Sequence, residues 1–344
     1  MAVRAEGGGP DDGYTSVLSV KKVQSFRSAA AEEVSMAMAK INQAAAADGV
    51  VDMSELLHTF ANDMACRIVS GKFFLKDGRS KLFRELIKDT SRLLGGFNLE
   101  EYFPALGRVG VLKKAVCAKA EAVWNRWADL LDKVIDDRVS KRKSTSDHKD
   151  DDFVDIMLSV QQESANALEF TLAELMRKPH LMVKLQDEVR GIVPQGQEII
   201  SETNMNNMTY LRAVIKESLQ LHPLAPLLAP HLAMADCIID GYIIPAGTRV
   251  VVNAWAIGRD PSSWEYEEEF VPKRFTDEGS SMHVNFKGND FQFLPFGAGR
   301  RMCPGMNLGI ANVELMLANL VCHFDSQLPL GVERKYIDMT EVFG

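Results

Sequence analysis

No uninterrupted apolar stretch in this 344-residue chain approaches the roughly 18 residues needed to cross a bilayer, and none is expected to form a spanning helix. The opening residues, Met1 to Gly13, lack the apolar core of a signal peptide or anchor. Basic charge is also in short supply. Lys and Arg number 39 against 47 Asp and Glu, a net charge of −8 with no long basic run, which argues against nucleic acid as a partner. Cysteines are few and scattered: Cys66, Cys117, Cys237, Cys303 and Cys322 are odd in number and include no C-x-x-C pair. That pattern speaks against a disulfide framework or a zinc site and for a reducing compartment. Internal repeats are missing as well.

What is present is enough apolar material for a large core: 46% of residues are hydrophobic and 25% charged. After a flexible start over residues 1–16, apolar residues recur at helical spacing over Val17 to Asn42, Met53 to Ser70, Ser80 to Leu94 and Leu112 to about Val139. In the last of these Trp124, Trp127, Leu131 and Val134 form the apolar stripe, which predicts a core position for both tryptophans. Residues 98–110 read as a loop around Pro104, and Lys141 to Asp152 as a charged surface linker. Helices resume over Phe153 to Glu163, Ala167 to Arg190 with a bend near Pro179, and Tyr210 to Leu221. Between Cys237 and Ala254 the pattern turns to short strands, with turns at Asp240-Gly241 and Pro245-Ala246-Gly247. Trp255 to Phe293 is mostly irregular. The fold class is therefore mainly α with a small β region, read as a single domain over residues 1–344.

One stretch organises this reading: Phe296-Gly297-Ala298-Gly299-Arg300-Arg301-Met302-Cys303-Pro304-Gly305, a glycine-rich loop before a long apolar helix running to about Val321. Pro304 suits a first helical turn. Cys303 then falls at the positive end of a helix, where exposed N–H groups and the dipole favour thiolate, a metal ligand. Arg301 offers a planar, charged donor to an anionic group of the same bound cofactor. Gly305 allows a flat ligand to approach. For an arbitrary free cysteine the plainer reading is a small buried hydrophobe. A third, a nucleophilic thiol with His323 as base, is discarded because the two lie five or six helical turns apart.

Phe296, Gly299, Arg301, Cys303 and Gly305 fill the pattern F-x-x-G-x-R-x-C-x-G, which closely resembles the heme-binding signature of the cytochromes P-450. The likeness extends to Ala173 to His180, Leu211 to Glu217, Leu221-His222-Pro223, Pro245 to Thr248, Asn253 to Pro261 and Phe270 to Phe275. Together these resemble a plant microsomal member of the specialised-metabolism type. The resemblance implies a helical P-450-like domain, here incomplete, with heme b between a long central helix and the cysteine loop. Cys303 becomes the iron's axial ligand, pushing electron density toward bound oxygen. Arg301 binds a heme propionate, Phe296 packs beside the sulfur, and His231 lies near the propionates. Leu227 and Leu228 face the substrate side. The reaction implied inserts one oxygen atom from O₂ into a small apolar plant metabolite. Its electrons come from an NADPH-dependent flavoprotein reductase meeting a basic face that Arg300, Lys273 and Arg274 help to form. By family such a protein sits at the endoplasmic reticulum membrane; without an anchor, this chain is expected to be cytosolic or peripheral.

Four departures from the family pattern shape the alternative. The family's anchor, hinge and opening helices have no counterpart, and the chain stops at Gly344, before the family's final β segment. At Gln161-Gln162-Glu163-Ser164-Ala165-Asn166-Ala167-Leu168 two regions are joined that the family separates by most of its central helix, so the oxygen-activating site over the iron is absent. Glu163 and Ser164 supply an acid and a hydroxyl, but nothing in the sequence aligns them with Cys303. The family's E-x-x-R pair reads Glu217-x-x-Gln220. Glutamine cannot balance the carboxylate, which predicts weakened heme retention unless Arg274 compensates. The alternative function is thus a shortened, non-catalytic relative that binds heme weakly or not at all and acts at most as an interaction protein.

Overall fold

The computed structural model describes residues 20–47, 49–70, 79–94, 110–141, 151–194, 196–200, 202–299 and 302–339. In order, the helices are α1 (Val20–Ser25), α2 (Arg27–Ala46), α3 (Met53–Ser70), α4 (Arg79–Leu94), α5 (Gly110–Lys141), α6 (Asp151–Arg177), α7 (Pro179–Ile192), α8 (Glu202–Met205), α9 (Thr209–Leu221), α10 (Ala254–Gly258) and α11 (Met306–His323). Four short strands fall between α9 and α10: β1 (His231–Leu232), β2 (Cys237–Ile239), β3 (Tyr242–Ile244) and β4 (Arg249–Val250). Among the described residues no helix is long and apolar enough to cross a membrane. The expected flexible N-terminus, the loop over 98–110 and most of the charged linker lie outside the described residues.

Contacts divide the chain into two compact units, Met1–Phe60 with Ser159–Met339, and Ala61–Leu158 with Thr340–Gly344. In the second, α4 packs on α5 around Cys66, Phe83, Leu86, Trp127 and Leu130. Trp127 meets Phe83 edge-on at 5.4 Å and donates its indole N–H to Thr90 Oγ1 at 2.9 Å. Trp124 corrects the expected stripe. Three residues from Trp127, it is 62% exposed. The apolar face of α5 is narrower than the spacing suggested.

In the first unit α11 is the core element, with Leu308, Val313, Met316, Leu317, Leu320 and Val321 all buried. It packs against α1, α2, α7 and α9. Its C-terminal carbonyls are satisfied from α7: Arg190 donates to Cys322 O at 3.0 Å, and Gln186 to Phe324 O at 3.1 Å. Glu188 of α7 likewise caps α9, accepting the N–H groups of Tyr210 and Leu211 at 2.7 and 2.9 Å. A carboxylate from a neighbouring helix thus does what Met208 at the start of α9 cannot.

Strands β2, β3 and β4 fall in the expected span and β1 just before it, and they form two separate antiparallel pairs, β1 with β4 and β2 with β3. Asp240 and Gly241 turn the second hairpin with φ of 49° and 82°, the positive values a tight two-residue turn demands.

The largest departure concerns the helices around residue 165. Sequence spacing predicts two, ending at Glu163 and starting at Ala167. The structure has one continuous helix, α6, and its break comes only at Lys178, before Pro179. Nothing in Gln161 to Leu168 is a glycine or proline, so intrahelical hydrogen bonding passes straight through.

Candidate functional site

The cysteine loop closes on itself. Cys303 N–H donates to Phe296 O at 2.9 Å, Gly297 N–H to Leu294 O at 3.1 Å and Met302 N–H to Gly299 O at 3.3 Å. Gly297 and Gly299 hold φ near 70°, a region that disfavours a Cβ, so the two glycines make the turn possible. Phe296 is anchored edge-on against Phe286 at 5.6 Å, and Phe286 continues through Phe293 to Trp264 and Phe275. The loop therefore rests on an aromatic wall.

The expected helix start shifts slightly. α11 begins at Met306 with Gly305 as its N-cap, so Pro304 sits in the turn before it. The backbone N–H groups of Gly305 and Met306 donate to the Cys303 sulfur, as a helix N-terminus should. The expected thiolate does not follow. Burial, reinforced by the nearby Glu163 carboxyl, pushes the Cys303 thiol up to about 11, and the two N–H donors offset this only in part.

Cys303, Phe296 and Gly305 line a hollow with Gly309, Ile310 and Val313 of α11, Ile215 and Leu219 of α9, the following Leu224, and Glu163, Ser164 and Ala167 of α6. Glu163 and Ala167 are one helical turn apart and share a face. Sequence reasoning set Glu163 and Ser164 aside because nothing aligned them with Cys303. The unbroken α6 is what aligns them. Burial raises the Glu163 carboxyl to about 7, leaving it largely protonated below neutrality.

α6 is held over this hollow from its C-terminal half. Phe170 stacks on His222 at 4.7 Å, and Glu174 Oε1 lies 3.1 Å from His222 Nε2. His222 closes α9, so the two walls of the hollow are tied together. Thr171 adds a bond from its hydroxyl to Ala167 O at 2.6 Å.

Beneath the loop, Glu217 is fully buried and accepts from Arg274 Nε at 2.8 Å and Val271 N–H at 2.6 Å. Burial pushes the Glu217 carboxyl up while the Arg274 guanidinium and the Val271 N–H pull against it. Arg274 also donates to Glu265 O, Tyr266 O and Glu269 O. It supplies the compensation the sequence left open. Gln220 is not part of this network: its amide N–H₂ donates to Gly258 O, fastening α9 to α10.

The other expected site residues fall elsewhere. His231 is exposed in β1, away from the hollow's wall. Leu227 is 53% exposed, whereas Leu228 reaches toward Gly297 of the cysteine loop. Gly299 is exposed. Arg301 lies outside the described residues, as does Arg300.

The hollow measures about 330 Å³ including the part open to solvent, but only about 20 Å³ of it admits a water-sized sphere. A single water needs roughly 10–15 Å³ on that measure, and small-molecule pockets run roughly 300–1,000 Å³. The loop side suits a thiolate-bound macrocycle in its donors and glycines. The space facing the sulfur does not hold one.

The fold is mainly helical, with a cysteine at the end of a glycine-turned loop and its sulfur at a helix N-terminus. The family model for Cytochrome P450 matches residues 14–167 and 162–344, and the chain belongs to that family. The two matched stretches meet and overlap at 162–167. The chain is 50% identical over 351 residues to the indole-2-monooxygenase of Zea mays, covering 95% of this chain and 65% of the relative. It is 45% identical over 345 residues to the indolin-2-one monooxygenase of Zea mays, at 92% and 64%, and 36% identical over 356 residues to the costunolide synthase of Cichorium intybus, at 95% and 69%. The chain thus spans about 65% of the first two relatives. The 351-residue alignment is longer than the 344-residue chain, so that relative carries residues inside the match that this chain lacks.

Proposed function

We propose that the Cys303 loop is the iron-thiolate loop of a heme monooxygenase whose substrate is a small, largely apolar nitrogen heterocycle of the indole or indolinone kind. The observation that carries this reading is the seating of the Cys303 sulfur on the N–H groups of Gly305 and Met306, within a loop locked by the Cys303 N–H to Phe296 O bond. Backbone donors of this kind stabilise a coordinated sulfur's charge without competing for the metal. The substrate class rests on the activities for which the two Zea mays relatives at 50% and 45% identity are named. Apolar Leu224, Ile310 and Val313 beside the sulfur agree with a ligand of low polarity. Electrons would come from an NADPH-dependent flavoprotein reductase, and the site of action would be the endoplasmic reticulum surface.

The second reading, a chain that binds no heme, is favoured by one observation: the space beside Cys303 is the size of a water. The two readings describe different lengths of protein. The oxygenase activity belongs to a chain in which the family pattern runs unbroken through 162–167.

The test is a chain lengthened at Gln162–Ala167, where the two family matches meet, with residues that indole-2-monooxygenase has inside the match and this chain lacks. Once supplied with heme, it is expected to give the reduced carbon-monoxide Soret band of thiolate-ligated heme, lost in Cys303→Ala. Adding indole or indolin-2-one should then perturb the Soret spectrum. A lengthened, folded chain with no thiolate signature would remove the basis of the proposal.

A further inference from the structure

We infer that in this chain the continuous α6 helix plugs its own cofactor pocket: Glu163 and Ser164 occupy the space facing the Cys303 sulfur, so the pocket admits water and excludes a planar macrocycle. The inference rests on the reading of Cys303 as the ligand loop, and adds what this particular chain does with it.

Three independent features hold the plug in place. The first is local. Gln161 to Leu168 has no residue that stops a helix, so once α6 is nucleated it propagates across the place where the family match breaks. The second is tertiary. Phe170 and Glu174, two to three turns after Glu163, are fastened to His222 at the end of α9, so α6 cannot swing away without breaking a stacked pair and a buried polar contact. The third is the register. Among the described side chains of α6, Glu163, Ser164 and Ala167 line the hollow, so a bulky acid stands where a flat ligand needs a small side chain.

Helix α6 is rigid enough for this to matter. Leu168, Thr171 and Leu175 are wholly buried along its inner face. Moving the wall by the thickness of a macrocycle would expose that face to water.

The consequence for Cys303, itself half-buried, is restricted access on the side that faces α6. A pocket that takes one water excludes an alkylating reagent as well as heme, and this gives a readout independent of cofactor. The native chain, Glu163→Ala and the size-conserving Glu163→Gln are treated with iodoacetamide at pH 8.5, where a thiol raised to about 11 still supplies some of the reactive thiolate, and Glu163→Ala is read against Glu163→Gln because both remove the same carboxylate. Modification of Cys303 is followed by peptide mass, with the exposed Cys117 as internal standard. We expect Cys303 in Glu163→Ala to be modified at least tenfold faster than in Glu163→Gln, which keeps the side-chain volume. Failure of Glu163→Ala to outpace Glu163→Gln overturns the plug. Circular dichroism checks that each variant folds.

Heme content of the native chain supplies the arm that needs no variant. Expressed with excess heme, it should retain well under one-tenth equivalent, and about one equivalent with a thiolate signature lost in Cys303→Ala overturns the inference outright. If the lengthened chain also fails to take heme while the alkylation pattern holds, the plug stands and the heme-thiolate reading fails.

Discussion

Glu217 and Arg274 form an ion pair at 2.8 Å with both side chains almost wholly out of water, and it ties α9 to the segment leading into the cysteine loop. The glutamate also takes the Val271 N–H, and the arginine three backbone carbonyls. This is a fully partnered network, so removing one member strands the other. Glu217→Ala is expected to lower unfolding free energy by about 3–5 kcal/mol in denaturant titration. Pairing it with Arg274→Met should cost clearly less than the two singles added, since no buried charge is then left alone.

Gly258 meets this region from the other side. A Cβ there would lie 2.5 Å from the carbonyl oxygen of Gln220, a backbone atom that cannot rotate away. Gly258→Ala is therefore expected to destabilise by roughly 1–3 kcal/mol, although its neighbour Ala256 shows that the short helix tolerates alanine. A thermal melt indistinguishable from the parent chain would contradict the close approach of α10 to α9.

The Glu163 carboxyl gives a signed pH dependence. Its folded value of about 7 lies above the ordinary 4.5, so the folded chain holds a proton that the unfolded chain has released. The contribution is fully present below about pH 4.5 and is lost as pH rises through 7, on the order of 3 kcal/mol in total. Glu163→Gln should remove this component of the slope between pH 4.5 and 7, measured by urea titration at several pH values. An unchanged slope would mean that the carboxyl is hydrated.

The two tryptophans of α5 offer a contrast in one helix. Trp127 is 8% exposed and hydrogen-bonded, Trp124 62% exposed. Trp127→Ala should cost about 3–5 kcal/mol and Trp124→Ala no more than about 0.5 kcal/mol.

These pairs also show what could be read from the chain and what could not. The cysteine loop, α9 and α11 were legible because glycines, the Cys303 position and a long apolar run carry local, strong signals. Trp124 was misjudged because helical spacing sets a stripe's direction and not its width. Gln220 stands where the family's arginine answers Glu217, and its sequence position leaves open what its amide bonds. Its amide turns to Gly258 O, a partner 38 positions away that no spacing rule reaches. The Cys303 thiolate was expected from the helix N-terminus alone, and burial outweighs two N–H donors once the wall of α6 is added. That wall was the hardest feature to foresee. Across 161–168 the resemblance suggested a seam, whereas helix propensity asks only whether something stops the helix, and nothing does.

The central claim, a cysteine-ligand loop covered by its own helix, meets its most direct test in the heme-to-chain ratio of two proteins purified side by side from heme-supplemented expression. One is this chain, and the other is the chain lengthened at 162–167. The account predicts a ratio near zero for the first and near one for the second, with the second's thiolate band abolished by Cys303→Ala. A ratio near one for the chain as it stands, with that same band, would contradict it.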